Sequence, residues 1–299
     1  DFGGGNGHPE TYRKAVNQRY GKATSAEEFC KKSQLVNYNN YRALFESWGT
    51  KTGEGNSGGL IIWMSQSVWP SLVWQTYDYF YEPTAAYFGS QDGCRPVHIQ
   101  WDASNQKVFA VNITQKALDN LKAETWIYNM DGQMVSHNSS EVDLPSYSNQ
   151  FCHYIKKSDH PDLSQVHFVK MKLTRQGEVL SENFYWRSRK GQNYKALEDM
   201  PSVALDGQAE MDQAGEQVTL NVELDNPSGQ IAFFNRLKVV GAQSGENILP
   251  AFYEDNYFTL LPEKDKQVRI TFNRKDLHGE EPRLLLEGYS GNRQEIEID

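Results

Sequence analysis

The chain has 299 residues, 38% of them hydrophobic and 12% aromatic, enough to bury a core and too many for a disordered polypeptide. The formal net charge of -9 argues against nucleic acid as a partner, because phosphate binding relies on clustered Lys and Arg. The longest uncharged apolar-leaning run, Gly55 to Tyr77, is broken by polar residues and by Pro70, so no membrane span is expected.

In chain order, the start Asp1–Gly7 has neither the basic nor the apolar stretch of a signal peptide, so any export signal would lie outside these residues. Residues 24–48 read as a helix: Thr24 and Ser25 each have a Glu three positions on, and Tyr41, Leu44, Phe45 and Trp48 recur at i, i+3, i+4, i+7. Gly49 ends it and a Gly-rich loop follows. Leu60 to Trp63 is a continuous apolar run of the kind expected for a strand buried on both faces. A second amphipathic segment, expected to be helical, carries Leu72, Trp74, Tyr77, Phe80 and Tyr81 before Pro83.

Beyond Arg95 the hydrophobic period falls from 3.6 to 2. Val97, Ile99 and Trp101 alternate with polar residues, as do Phe109, Val111 and Ile113. Hairpin turns are predicted at Asp131-Gly132 and at Gln176-Gly177. A polar connector near residues 187–192 precedes a second strand series through Val218–Leu224, Ile231–Val240, Val268–Phe272, Leu284–Leu286 and Ile296–Ile298. The pattern predicts two immunoglobulin-like sandwiches, the second acidic: residues 189–299 carry a net -8 and residues 1–188 only -1. Trp101, Trp126 and Trp186 are expected inside the first.

Chemistry is sparse in the motifs. Cys30, Cys94 and Cys152 form no CxxC, and seven histidines show no metal-ligand spacing, so neither a metal nor another cofactor is implied. His8-Pro9-Glu10 reads as a solvated terminus and Glu254-Asp255-Asn256 as an ordinary strand entry. Asn112-Ile-Thr114 and Asn138-Ser-Ser140 match the glycosylation acceptor pattern, which short sequences meet by chance. The carboxylates before Arg95 (Glu10, Glu27, Glu28, Glu46, Glu54, Asp78, Glu82 and Asp92) show no acid/base pair ending apolar strands. The richest segment is Ile61 to Trp74, where an aromatic can stack on a sugar ring while Ser65 and Gln66 hydrogen-bond its hydroxyls. The alternative is that its tryptophans are simply core.

Residues 59–83 (GLIIWMSQSVWPSLVWQTYDYFYEP), with Ala86-Tyr87-Phe88-Gly89 and Pro96-Val97-His98-Ile99, resemble the end of the catalytic barrel of glycoside hydrolase family two, in its exo-β-D-glucosaminidase and endo-β-mannosidase branch. The resemblance continues through Gln34–Tyr38, Arg42–Glu46, Asn183–Trp186, Phe233–Leu237 and Leu249–Tyr253. It implies a mixed fold: residues 1–92 as the C-terminal piece of a TIM barrel, 93–190 and 191–299 as two immunoglobulin-like sandwiches. It further implies a retaining exo-β-glycosidase whose two catalytic Glu lie upstream, leaving no catalytic residue in this chain, which alone would be inactive. The partner implied is a carbohydrate, a β-linked amino sugar or mannoside, contacted by Trp63, Gln66 and Trp69, and a bacterial source would place such an enzyme in the periplasm or outside the cell. Relatives often hold the bond after the tryptophan in cis, which makes Trp63-Met64 a candidate cis peptide. Ser65-Gln66 stands where glucosaminidase relatives tend to have Leu-Asn, so the substrate contact differs there. A non-catalytic carbohydrate-binding or structural sandwich protein with a helical docking leader is the alternative.

Overall fold

The computed structural model describes residues 9–51, 58–70, 75–291 and 293–299. They form three α-helices, three short 3-10 helices and fifteen strands, and the chain divides into two compact units, residues 1–62 with 89–198 and residues 63–88 with 199–299. No described helix is long and apolar enough to cross a membrane.

In the first unit, α1 (Pro9–Tyr20) precedes α2 (Ala26–Gly49). Of the two expected capping boxes, the Ser25 half forms, with Ser25 Oγ accepting from the Glu28 amide, while the Glu28 carboxylate reaches past the N-cap to accept from the Thr24 amide and hydroxyl. Such a cap is worth about 1 kcal/mol. The buried face of α2 is not the one that Tyr41 and Leu44 imply, since Leu44 is 47% exposed. It runs instead through Lys32, Leu35, Tyr38, Arg42, Phe45, Glu46 and Gly49, so three charged residues occupy the inward stripe. The helix α3 (Ala85–Gly93) brings Gly89 and Gly93 against α2, where a Cβ would fall 2.3 Å from the Tyr38 carbonyl oxygen and 2.8 Å from that of Arg42. Only glycine permits that approach.

The sandwich of this unit contains β1 (Val97–Asp102), β2 (Lys107–Asn112), β3 (Leu118–Asn129), β4 (Met134–Leu144), β5 (Ser148–Tyr154), β6 (Val166–Arg175) and β7 (Glu178–Ser188). One sheet runs β1-β2-β5 and the other β4-β3-β6-β7. Ile99, Trp101, Val108, Ala110, Ile127, Val169, Met171 and Tyr185 share the core between them. The Gln176-Gly177 turn places both residues at positive φ, 51° and 89°, as a two-residue hairpin of the twist-matching kind requires. Trp101 is buried in this core, Trp186 is buried on the other face of β7 against Tyr20 and Tyr38 of the helices, and Trp126 is only half-buried. Alternation along β3 turns Thr125 and Ile127 inward, so Trp126 lies on the outer face, its ring stacked on His137 at 4.9 Å.

The second unit holds β8 (Asp206–Ala214), β9 (Gln217–Asp225), β10 (Ala232–Gly241), β11 (Ala251–Tyr253), β12 (Phe258–Leu260), β13 (Asp265–Asn273), β14 (Pro282–Glu287) and β15 (Arg293–Ile298). The order β11-β13-β9-β8-β15-β14-β10-β12 is continuous because β15 pairs in parallel with β8, joining two antiparallel halves over one core. Asn256, in the acidic triplet, is buried and exchanges hydrogen bonds with the Leu237 backbone, and Asp255 pairs with Lys266.

Three expectations before Arg95 fail. Leu60 to Trp63 forms no strand and Ile61 is 98% exposed, because a run of this kind needs a strand on either side and no described strand pairs with it. Residues 75–84 are irregular rather than helical, with the helix starting only after Pro83, and Leu72 and Trp74 lie outside the described residues. The cis peptide bond among the described residues is Leu249-Pro250, so Trp63-Met64 is trans. A barrel piece is therefore not visible in the described structure, which is mainly β.

A buried polar network joins α2 to the sandwich. Glu46 accepts from Tyr185 Oη at 2.7 Å, Asn183 Nδ2 at 2.8 Å and His98 Nε2 at 3.2 Å. Arg42 donates to Asn183 Oδ1 at 3.1 Å, the Phe184 carbonyl at 2.6 Å and Asn39 Oδ1 at 2.9 Å, with its guanidinium 4.1 Å from the Tyr185 ring centre. Burial opposes ionisation of Glu46, but His98, Arg42 and Tyr185 outweigh it and hold the carboxyl below its usual range. Removing one member of such a pair typically costs about 3–5 kcal/mol. Arg42→Met is expected to lower unfolding free energy by that amount in urea titrations. The depressed Glu46 carboxyl contributes stability that is complete above its unfolded value of about 4.3 and is lost as pH falls through the folded value, so Glu46→Gln should flatten the acid limb of the stability profile.

Candidate functional site

The candidate segment is residues 63–84 of the second unit. Its backbone is held by internal bonds rather than by a ladder. The Tyr77 amide donates to the Ser65 carbonyl at 2.9 Å, and Gln66 and Tyr77 form an isolated parallel bridge. Thr84 closes the base, its amide donating to the Thr76 carbonyl at 2.9 Å and its hydroxyl to the Gln75 carbonyl at 3.1 Å. Ser67 Oγ donates to Gln75 Oε1, and both side chains are buried.

The exposed rim is aromatic. Trp63 is 77% exposed and Trp69 56%, so neither is core. Gln66 is half-buried and donates to the Tyr79 carbonyl at 3.4 Å, which commits one amide hydrogen to the loop. Tyr79, Phe80 and Tyr81 project at a turn organised by Asp78, whose Oδ1 accepts from the Phe80 amide at 2.8 Å and the Glu82 amide at 3.0 Å. Burial pushes the Asp78 carboxyl up against the opposing pull of those amides. Met64 and Tyr81 sit at φ 65° and 69°, a left-handed conformation costly for residues with a side chain.

Five carboxylates of the leader are committed to structure: Glu28 to Lys32, Glu46 to the α2 network, Asp78 to its turn, Glu82 to Arg236 and Asn247, and Asp92 to Tyr38 and Arg95. Glu28, held by Lys32 and Thr24, is pulled down to about 2. No group of three or more His, Cys, Asp or Glu among the described residues is placed to hold a metal ion. No spacing in the sequence signals the pairing of Glu82 with Arg236, which meet although 154 positions separate them. Their only signal is that each lies in a stretch quoted for the family resemblance, residues 59–83 and 233–237.

The family model described as the exo-β-D-glucosaminidase Ig-fold domain matches residues 183–290, and that of the mannosidase Ig/CBM-like domain matches residues 104–189. Residues 104–189 and 183–290 are thus similar to the immunoglobulin-like domains of mannosidases and of exo-β-D-glucosaminidases, respectively. Similar proteins include the exo-β-D-glucosaminidase of Arthroderma benhamiae, 30% identical over 87% of this chain and 31% of that protein. The mannosylglycoprotein endo-β-mannosidase of Lilium longiflorum is 26% identical over 93% of this chain and 35% of that protein. The crystal structure of the Amycolatopsis orientalis exo-chitosanase CsxA superposes with a TM-score of 0.88 at 28% identity, covering 96% of this chain and 36% of that one. The chain thus spans about a third of the length of the relatives it matches.

Removing the Asp78 acceptor leaves two backbone donors with only water. Asp78→Ala is expected to speed hydrogen exchange at the Phe80 and Glu82 amides by about 10-fold or more, in line with the worth of hydrogen bonds to charged groups. Amide-resolved exchange on this chain measures it, and unchanged protection at both sites would refute the assigned role of Asp78.

Proposed function

We propose that this chain is the C-terminal part of a retaining exo-β-glycosidase of glycoside hydrolase family two, acting on β-glucosaminides or β-mannosides. In this reading residues 1–92 complete a TIM barrel, 93–190 and 191–299 are accessory sandwiches, and the acid/base and nucleophile carboxylates belong to the remainder of the enzyme. The observation that carries it is the extent of the likeness to the A. orientalis exo-chitosanase: at 96% of the chain it includes the helical leader and the aromatic segment as well as the sandwiches. The engagement of Glu28, Glu46, Asp78, Glu82 and Asp92 in structural bonds supports a source of catalytic carboxylates elsewhere.

Within that reading the chain contributes to binding. Trp63, with most of its indole free, offers an apolar face to the C–H groups of the terminal sugar, and Gln66 and Trp69 flank it on the same segment. Retention of configuration calls for two carboxyl groups about 5–5.5 Å apart on either side of the scissile bond, one as nucleophile and the other as proton donor. The isolated 299-residue chain is expected to release no 4-nitrophenol from aryl β-glucosaminides or β-mannosides. In the complete enzyme Trp63→Ala should lose stacking worth about 1–3 kcal/mol, by analogy with base stacking on aromatics. That corresponds to a fall in kcat/KM of roughly 5- to 150-fold in a folded protein. Turnover by the isolated chain, or an unchanged kcat/KM in the variant, would overturn the corresponding part of the reading.

A further inference from the structure

The stretch Phe233–Leu237 carries family resemblance yet has no part in the binding surface just described. Its Arg236 does reach the segment that carries that surface. The guanidinium pairs with Glu82 Oε1, the carboxylate ending the Tyr79–Tyr81 turn, while Asn247 Nδ2 donates to Glu82 Oε2 at 3.0 Å. Both oxygens of Glu82 are therefore claimed by residues of the second sandwich. The pair is largely withdrawn from solvent, with 25% of the Arg236 side chain and 19% of the Glu82 side chain exposed. Arg236 also lies 5.7 Å from the Tyr257 ring centre, and the Tyr257 ring packs at 5.1 Å on Phe234, itself held at φ 53°. One turn of backbone away, the Asp78 amide donates to the Glu82 carbonyl, so the position of Glu82 dictates the position of the turn.

We infer that Arg236 and Asn247 are positioning residues: by clamping Glu82 they fix the 76–84 turn against which Gln66 is anchored, and so set the affinity of the Trp63–Tyr81 surface for its sugar. The acidic sandwich is then a part of the binding apparatus rather than an appendage. The guanidinium meets Glu82 through one nitrogen while its other arm lies 3.9 Å from Glu287 Oε2, and its planar fork fixes the direction of the contact as well as its distance. The inference rests on the proposed glycosidase reading only for its ligand; the clamp itself is a property of this chain.

The experiment has two arms. In the 299-residue chain, Arg236→Gln should speed amide exchange at Tyr77, Asp78, Glu82 and Thr84 by about 10-fold or more, while amides of β9 and β13 keep their protection. Arg236→Lys, which keeps the charge without the fork, should fall between. Because Arg236→Gln could unfold the unit, the nearly isosteric Glu82→Gln serves as the second variant and should give the same local pattern. In the complete enzyme the same substitutions should raise KM for an aryl β-glycoside on the order of 10-fold with kcat little changed, since binding rather than chemistry is disturbed. Unchanged exchange in 76–84 for both Arg236→Gln and Glu82→Gln overturns the clamp. Faster exchange with an unchanged KM, in an enzyme where Trp63→Ala does lower kcat/KM, overturns its role in binding. If Trp63→Ala has no effect, the substrate reading fails by itself and the exchange arm still decides the clamp.

Discussion

The first unit depends on a single constraint: a guanidinium and a carboxylate buried one helical turn apart on the same face of α2. Neither Arg42, with 1% of its side chain exposed, nor Glu46, with 8%, can be left there without partners, because an unpaired buried ion costs several kcal/mol. Each is answered from the sandwich: Asn183 and the Phe184 carbonyl receive Arg42, and His98, Asn183 and Tyr185 serve Glu46. These bonds demand one register of α2 against β1 and β7, which apolar contact would leave free to slide. Tyr185 illustrates the coupling, because its hydroxyl donates to Glu46 while accepting the Trp101 amide inside the sandwich.

Around that network other long-range bonds repeat the pattern of a polar group on a helix answered by the strand region. The Trp186 indole donates to Tyr20 Oη at 2.9 Å, and Lys32, almost fully buried, is shared by Glu28 and Glu198 with the Gly21 carbonyl beneath it. The helices are thus fastened to the sandwich mainly by directed bonds from α2 and from the end of α1. This explains how α1, whose core residues are Val16 and Tyr20, stays in place with so little apolar area.

Legibility in the sequence follows from the range of the interactions involved. Local chemistry was readable: the Ser25 and Glu28 cap, the Asp131-Gly132 and Gln176-Gly177 turns, and the alternation of Val97, Ile99 and Trp101 all involve residues within a few positions of one another. The inward face of α2 was not, because a pattern search scores Arg42 and Glu46 as polar and therefore outward. Trp126 was misjudged for the converse reason, since the inward place beside it is taken by Thr125, which is bonded to His153 of the opposite sheet. Leu60 to Trp63 reads as a buried strand because continuous apolarity reports a need for neighbours, and no described strand supplies them. Of the candidate site, the exposed tryptophans were legible as residues, whereas the partner of Glu82 could not be found by any spacing rule.

One structural device recurs in both sandwiches although their sequences are not evident repeats. Asn112 ends β2 and its Nδ2 donates to the carbonyls of Lys116, Leu144 and Pro145, while Oδ1 accepts from the Thr114 amide and hydroxyl. Asn226 follows β9 and does the same with Gln230, Leu260 and Leu261, and with the amide and hydroxyl of Ser228. In each case one buried amide ties a strand end to the loop after it and to the end of a distant strand, satisfying carbonyls that the ladder leaves open. The hydroxyl two positions on is required to complete the asparagine's acceptor side, so the sequence Asn-x-Thr or Asn-x-Ser arises here from corner geometry. At Asn112 the acceptor pattern for glycosylation therefore coincides with a folding role, since its buried amide nitrogen serves three carbonyls in the protein interior.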